Sequence, residues 1–182
     1  MAGHNKWAQI KRKKAVTDQK RAKIFTKLLA AIQVAAKTEP NPDFNPHLRT
    51  MIEKAKEASV PQENIERAVS RAKDNPTEEL LIEAYGPEGT AFVIKAITDS
   101  RNRTVAEIKK LLSDQGAKFA EQGSVTWMFQ IDSEGSFEPK FTRKLPPEAE
   151  EKAIVLMEAL DDHPDVSDIF TNAELNGEEN SE

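Results

Sequence analysis

ELLIEAYGPEGTAFVIKAITDSRNRTVAEIKKLLSDQ, residues 79–115, decides the fold. It opens with an apolar, partly β-branched run at 80–85 and turns at Gly86-Pro-Glu-Gly89. A second such run follows at 91–97. Two runs of this kind around a Gly/Pro-rich tetrapeptide predict a hairpin. Residues 98–103 (TDSRNR) read as a polar loop rich in capping side chains. From Thr104 to Gln115 the period changes to three and four, with Val105, Ile108, Leu111 and Leu112 on one face and Gly116 as the stop. Strand, turn, strand and helix in one stretch specify an α+β unit.

Working outward toward the C-terminus, GSVTWMF at 123–129 reads as a strand. Residues 136–142 read as another, which Pro139 restricts to an edge or a bulge. Pro146 and Pro147 lead into a helix that faces inward with Ala149, Ala153, Leu156, Met157 and Leu160. Residues 166–171 close as a strand, and 174–182 are acidic and expected to fray. From Ala91 the order is βαββαβ, the ferredoxin-like order, preceded by one extra strand. Trp127 and Phe129, on a strand, are expected in the core.

Toward the N-terminus the pattern is all helical. Phe25, Leu28, Leu29, Ile32 and Ala36 mark a first helix that Thr17 or Asp18 can cap. Asn45-Pro46 opens a second helix, with Leu48, Ile52 and Ala55 inward, and Val60-Pro61 a third, with Ile65, Ala68, Val69 and Ala72 inward. Short connections make this a small three-helix bundle with a thin, Ala-rich core. The expected division is 1–76 for a basic arm and the bundle, 77–173 for the ferredoxin-like α+β domain, and 174–182 for the tail.

The charge is segregated. Residues 1–75 carry 16 basic and 8 acidic side chains, whereas 76–182 carry 10 and 23. The net of −5 therefore hides a positive end of +8. Nine of its cations fall within the first 30 residues: Lys6, Lys11, Arg12, Lys13, Lys14, Lys20, Arg21, Lys23 and Lys27, against Asp18 alone. Trp7 lies among them. Clustered cations beside an aromatic suit a polyanion with phosphates to neutralise and flat bases to stack. Lys20, Lys23 and Lys27 recur at helical spacing and form a basic stripe. Trp7 can stack on a base or anchor the arm against the bundle. Arg101, Asn102 and Arg103 form a smaller cluster that suits a second phosphate contact or a bridge to an acidic face.

Other chemistry is poorly served. There is no cysteine, which excludes disulfides and thiolate ligands. His4, His47 and His163 lie in three separate segments without metal-ligand spacing, and no Gly-rich phosphate loop occurs. No enzyme, cofactor or metal is expected. No apolar run reaches the ~20 residues of a membrane span, and the basic N-terminus has no apolar secretory core. A cytoplasmic, monomeric protein is expected.

Six motifs in order then point to a family: AGHNKW at 2–7, KIFTK at 23–27, NIER at 64–67, YGP at 85–87, TDSRNRT at 98–104 and GSVTWMF at 123–129. They resemble the YebC family, which includes YebC- and PmpR-type proteins and mitochondrial translational activators of cytochrome oxidase. The closing segment EKAIVLMEALDDHPDVSDIFTNAE is also similar. The family's third domain would fall between 127–129 and 136–142, where only residues 130–135 intervene, so the chain resembles a YebC-type protein without that domain. The resemblance implies a non-enzymatic regulator that binds nucleic acid, either ribosomal RNA on the ribosome as a translation factor or DNA as a transcriptional regulator.

Overall fold

A computed structural model describes residues 17–133 and 135–176. Helix α1 (Asp18–Ala36) starts at Thr17, whose hydroxyl accepts from the Lys20 N–H at 3.3 Å. Helix α2 (Pro46–Glu57) starts at Asn45, whose Oδ1 accepts from the Leu48 N–H at 3.0 Å. The Nδ2 of Asn45 donates to the carbonyls of Ala35 and Glu39, so one side chain starts α2 and ties it to the end of α1. Helix α3 (Gln62–Ser70) runs into a 3-10 turn at Ala72–Asp74. The bundle core is thin as expected: Ile32, Leu48 and Ile65 are its largest buried side chains, and five alanines and Val60 fill the rest.

The second unit is built on strands β1 (Glu78–Tyr85), β2 (Ala91–Thr98) and β3 (Lys118–Ala120), with a later strand, β7 (Val166–Thr171). Their order is β3-β1-β2-β7 and every pairing is antiparallel. Helix α4 (Arg101–Asp114) joins β2 to β3, and α5 (Pro147–Asp162) precedes β7. Both helices cover one face, where Leu80, Ile82, Phe92 and Ile94 meet Ile108, Leu112, Leu156 and Leu160. The other face carries a hairpin of β4 (Phe129–Ile131) and β5 (Phe137–Pro139), and Val93 and Phe170 pack there against Val125, Phe129 and Phe137. With both faces covered, β2 is apolar at every position but Lys95 and the terminal Thr98 rather than alternating.

The α+β class and the split β-α-β arrangement hold, because β1 lies between the two strands that α4 connects. The strand filling that place is the extra N-terminal one. The segments expected as strands at 123–129 and 136–142 supply only the short β4-β5 hairpin, and the sheet edge is taken by β3, which the periodicity had not marked. The hairpin connection is tight, with the Asp132 N–H donating to the Ser136 carbonyl at 3.0 Å, so no domain is inserted there.

Three local corrections follow. Residues 101–103 are the first turn of α4 rather than a loop, since the chain enters the helix at Ser100. Residues 123–128 form a turn and a 3-10 turn (Thr126–Met128) rather than a strand, because a buried carboxylate captures their N–H groups. The tail starts ordered: β6 (Arg143–Lys144) pairs in parallel with β8 (Ala173–Glu174), and Leu175 is buried and holds the chain down. Residues 177–182 lie outside the described part.

At the β1-β2 turn, Gly86 is required by close approach. A Cβ there would stand 2.3 Å from a ring carbon of Phe92. Among the described residues, no helix is long and apolar enough to cross a membrane.

Candidate nucleic-acid interface

Lys6, Trp7, Lys11, Arg12, Lys13 and Lys14 lie outside the described residues. The remaining cations of that end sit on the first half of α1, and the structure divides them. Lys20 and Arg21 are exposed; Arg21 lies 3.9 Å from the fully exposed Asp18, and Lys20 has no carboxylate partner among the described residues. Lys23 and Lys27 point instead to the C-terminal end of α5. The Lys23 ammonium is 3.4 Å from Asp162 Oδ1, and Lys27 donates to the Asp161 carbonyl and stands 3.5 Å from its carboxylate.

The expected basic stripe is thus corrected: it is one surface in sequence but two in space. The physical reason lies on α5. Its last turn holds two carboxylates and no base, an unfavourable arrangement at the negative end of a helix dipole. Two lysines from α1 supply the missing cations, and Lys27 keeps only 15% of its side chain exposed in doing so.

Arg101 and Arg103 are likewise engaged within their own domain. Arg101 pairs with Glu78 at 3.3 Å. Arg103 pairs with Asp99 and Asp165, each at 3.0 Å. Asp165 also accepts from the buried Thr104 hydroxyl at 2.5 Å, and the backbone N–H of Asp165 donates to His163 Nδ1 at 3.2 Å. Burial pushes the Asp165 carboxyl up. The Thr104 and Arg103 hydrogen bonds and the guanidinium charge outweigh that and hold it below its ordinary value. His163 Nε2 faces Glu107 at 3.1 Å. Glu107, His163 and Asp165 bring ligand-type atoms within 4.8 Å of one another. Arg103, Thr104 and the backbone already occupy this group, so it works as an ion-pair network locking α4 to the α5-β7 connection.

Two further features escaped the reading of the sequence. Glu83, in the middle of β1, is buried and accepts from the N–H groups of Gly123 (2.6 Å), Val125 (2.7 Å) and Thr126 (3.0 Å). The only signal was an acid within an otherwise apolar run. The turn that Glu83 builds presents Trp127, which is 58% exposed and not in the core, while Phe129 is buried as expected. The indole N–H donates back to the Ser124 carbonyl at 2.9 Å, and the ring lies 6.1 Å from that of Phe141.

With this arrangement of helical bundle and hairpin-backed sheet, the comparisons with known proteins fall into place. The family model of the TACO1/YebC protein N-terminal domain matches residues 5–75, and that of the TACO1/YebC second and third domain matches residues 77–132. The chain belongs to the TACO1/YebC family.

Among its relatives, a probable transcriptional regulatory protein of Chloroherpeton thalassium is 53% identical over 135 residues, covering 71% of this chain and 54% of that protein. One of a Synechococcus strain is 48% identical over 150 residues, covering 77% and 60%. One of Gloeothece citriformis is 41% identical over 186 residues, covering 98% and 69%. The chain thus spans little more than half the length of the first two. A crystal structure of a conserved hypothetical protein from Aquifex aeolicus superposes with a TM-score of 0.85 at 29% identity, covering 97% of this chain and 99% of that one.

Proposed function

We propose that this protein is a non-enzymatic, nucleic-acid-binding regulator of gene expression that acts on ribosomal RNA as a ribosome-associated translation factor. The observation that carries the reading is charge segregation: nine cations fall in the first 30 residues, Lys20 and Arg21 among them and exposed on α1, in a chain that is otherwise acidic. Lys11, Arg12, Lys13 and Lys14 supply the main phosphate contacts, with Lys6, Lys20 and Arg21 beside them and Trp7 as a stacking ring. Lys23 and Lys27 join only when released from Asp162 and Asp161. Arg101 and Arg103 act structurally.

RNA is favoured over duplex DNA by the helices. The exposed face of α3 carries Glu63 and Glu66, and its Arg67 is paired to Glu63 at 2.5 Å. An acidic face does not enter a major groove well. Exposed, irregular RNA bases suit a basic segment with one tryptophan. The names of the relatives favour a second reading, a DNA-binding transcriptional regulator.

Sedimentation of cell extract at moderate salt separates the two. Co-migration with ribosomes or subunits is the expected result. Its absence, together with a preference for one promoter over scrambled DNA of at least ~10³, is the outcome of the second reading.

A further inference from the structure

The β4-β5 end of the molecule holds a second set of residues suited to nucleic acid, separate from the described cations of α1. Residues 140–144 read KFTRK, three cations around an aromatic with no acid, in the half of the chain that is otherwise strongly negative. Trp127 and Phe141 are 58% and 48% exposed, and their rings are tilted by 48° to each other. They do not stack face to face, which leaves ring faces open. We propose that Trp127 and Phe141 form a stacking platform for unpaired bases of single-stranded nucleic acid, with Lys140, Arg143 and Lys144 taking the adjoining phosphates. The proposal rests on the nucleic-acid reading above and extends it to a separate site.

Four observations support it. First, the indole N–H is already satisfied by the Ser124 carbonyl, so the ring offers a flat face and no donor; a tryptophan that docks on a protein commonly hands its N–H to the partner. Second, the ring is placed in advance. The turn that carries it is fixed by three N–H groups on the buried Glu83 carboxylate and by the Tyr85 hydroxyl on the Ser124 carbonyl at 3.2 Å.

Third, the cations are held beside the ring without being neutralised. Lys140 Nζ donates to the Trp127 carbonyl at 2.8 Å, which uses one of three ammonium donors. Arg143 Nη1 donates to the Gly89 carbonyl at 3.2 Å, and Lys144 is exposed. None of the three has a carboxylate partner among the described residues.

Fourth, the position is useful. These residues gather at the β1-β2 turn, whereas the bundle meets the sheet at the other end, where Lys37 donates to the Thr77 carbonyl. The length of β2 separates the ends by about 23 Å at about 3.3 Å per residue. A single strand bridging both sites gains from two weak contacts what neither supplies alone.

The test measures binding of a labelled uridine oligonucleotide and of a duplex of the same length. A length of about 15 nucleotides, at about 3.4 Å each, is enough to span both sites. In the full chain, Trp127→Ala is expected to weaken oligonucleotide binding by about 5- to 150-fold, the loss of one stacked base, and to leave duplex binding unchanged. Trp127→Phe retains most of the affinity, which excludes misfolding as the cause. In a Trp7→Phe background Trp127 is the remaining indole, and its fluorescence is expected to be quenched on titration.

Unchanged oligonucleotide affinity in Trp127→Ala, with affinity lost in the Lys11–Lys14 alanine variant, overturns the platform while the nucleic-acid reading stands, and makes the patch a protein-docking surface. Equal loss for oligonucleotide and duplex also overturns it. No binding by the wild-type chain to either ligand overturns both.

Discussion

The bundle and the sheet domain solve the same problem with unequal means. The sheet domain buries large side chains on both faces of β2, with Phe92, Ile94, Leu156, Met157 and Leu160 enclosed on one and Val93, Val125, Phe129 and Phe170 on the other. The bundle relies on three large residues and a set of alanines. Charge is distributed the other way, with the cations concentrated at the bundle end and the acids on the sheet domain. Stability and binding charge are therefore assigned to different ends of the chain. The junction between them is electrostatic, because Lys23 and Lys27 close onto the acidic end of α5.

Breaking the dense side should cost most. Leu156→Ala is expected to lower stability by about 2–5 kcal/mol, measured by urea denaturation. Ile65→Ala, in the thin core, is expected to fall at the low end of that range and to shift an earlier transition. A single coincident transition for both variants would merge the two regions into one cooperative unit.

Glu83→Ala leaves three inward N–H groups without an acceptor and is expected to cost about 3 kcal/mol. It should also free Trp127, seen as a red-shifted, more quenchable indole emission.

The Asp165 network gives a smaller, pH-dependent effect. The folded-state carboxyl of Asp165 is held below its ordinary value, so its contribution is complete above the unfolded value of about 3.9 and is lost as pH falls through the folded one. Stability profiles below pH ~5 should flatten in Asp165→Asn. Thr104→Val, which removes a buried donor, is expected to cost about 1–2 kcal/mol at neutral pH.

The junction gives the smallest stability change. Asp161→Asn with Asp162→Asn should alter stability by no more than about 1 kcal/mol per pair. The same change removes the carboxylate charge facing Lys23 and Lys27 while their contacts to the Asp162 and Asp161 carbonyls remain, and the salt dependence of RNA binding should steepen by up to about 1.4 in log–log slope.

Much of this was legible in residue order. Asn45-Pro46 marked the start of α2, and the inward faces of α4 and α5 were given by their spacing, down to Ala149, Ala153, Leu156, Met157 and Leu160. What was not legible depends on partners far along the chain. Residues 123–129 have strand composition, but a carboxylate some 40 positions earlier takes their N–H groups. Lys23 and Lys27 read as free until α5, more than 130 positions later, brings Asp162 and Asp161 to them. Local pattern specifies which face is apolar. It does not specify which charge has already met its counterpart.

The central claim is that the cations of the N-terminal end grip phosphate. The salt dependence of RNA affinity tests it most directly, comparing wild type with the variant in which Lys11, Arg12, Lys13 and Lys14 are all alanine. About five engaged phosphates predict a wild-type log–log slope of about −3.5 to −4.5, flattened by about 3 in the variant. Identical slopes for the two proteins would contradict the account.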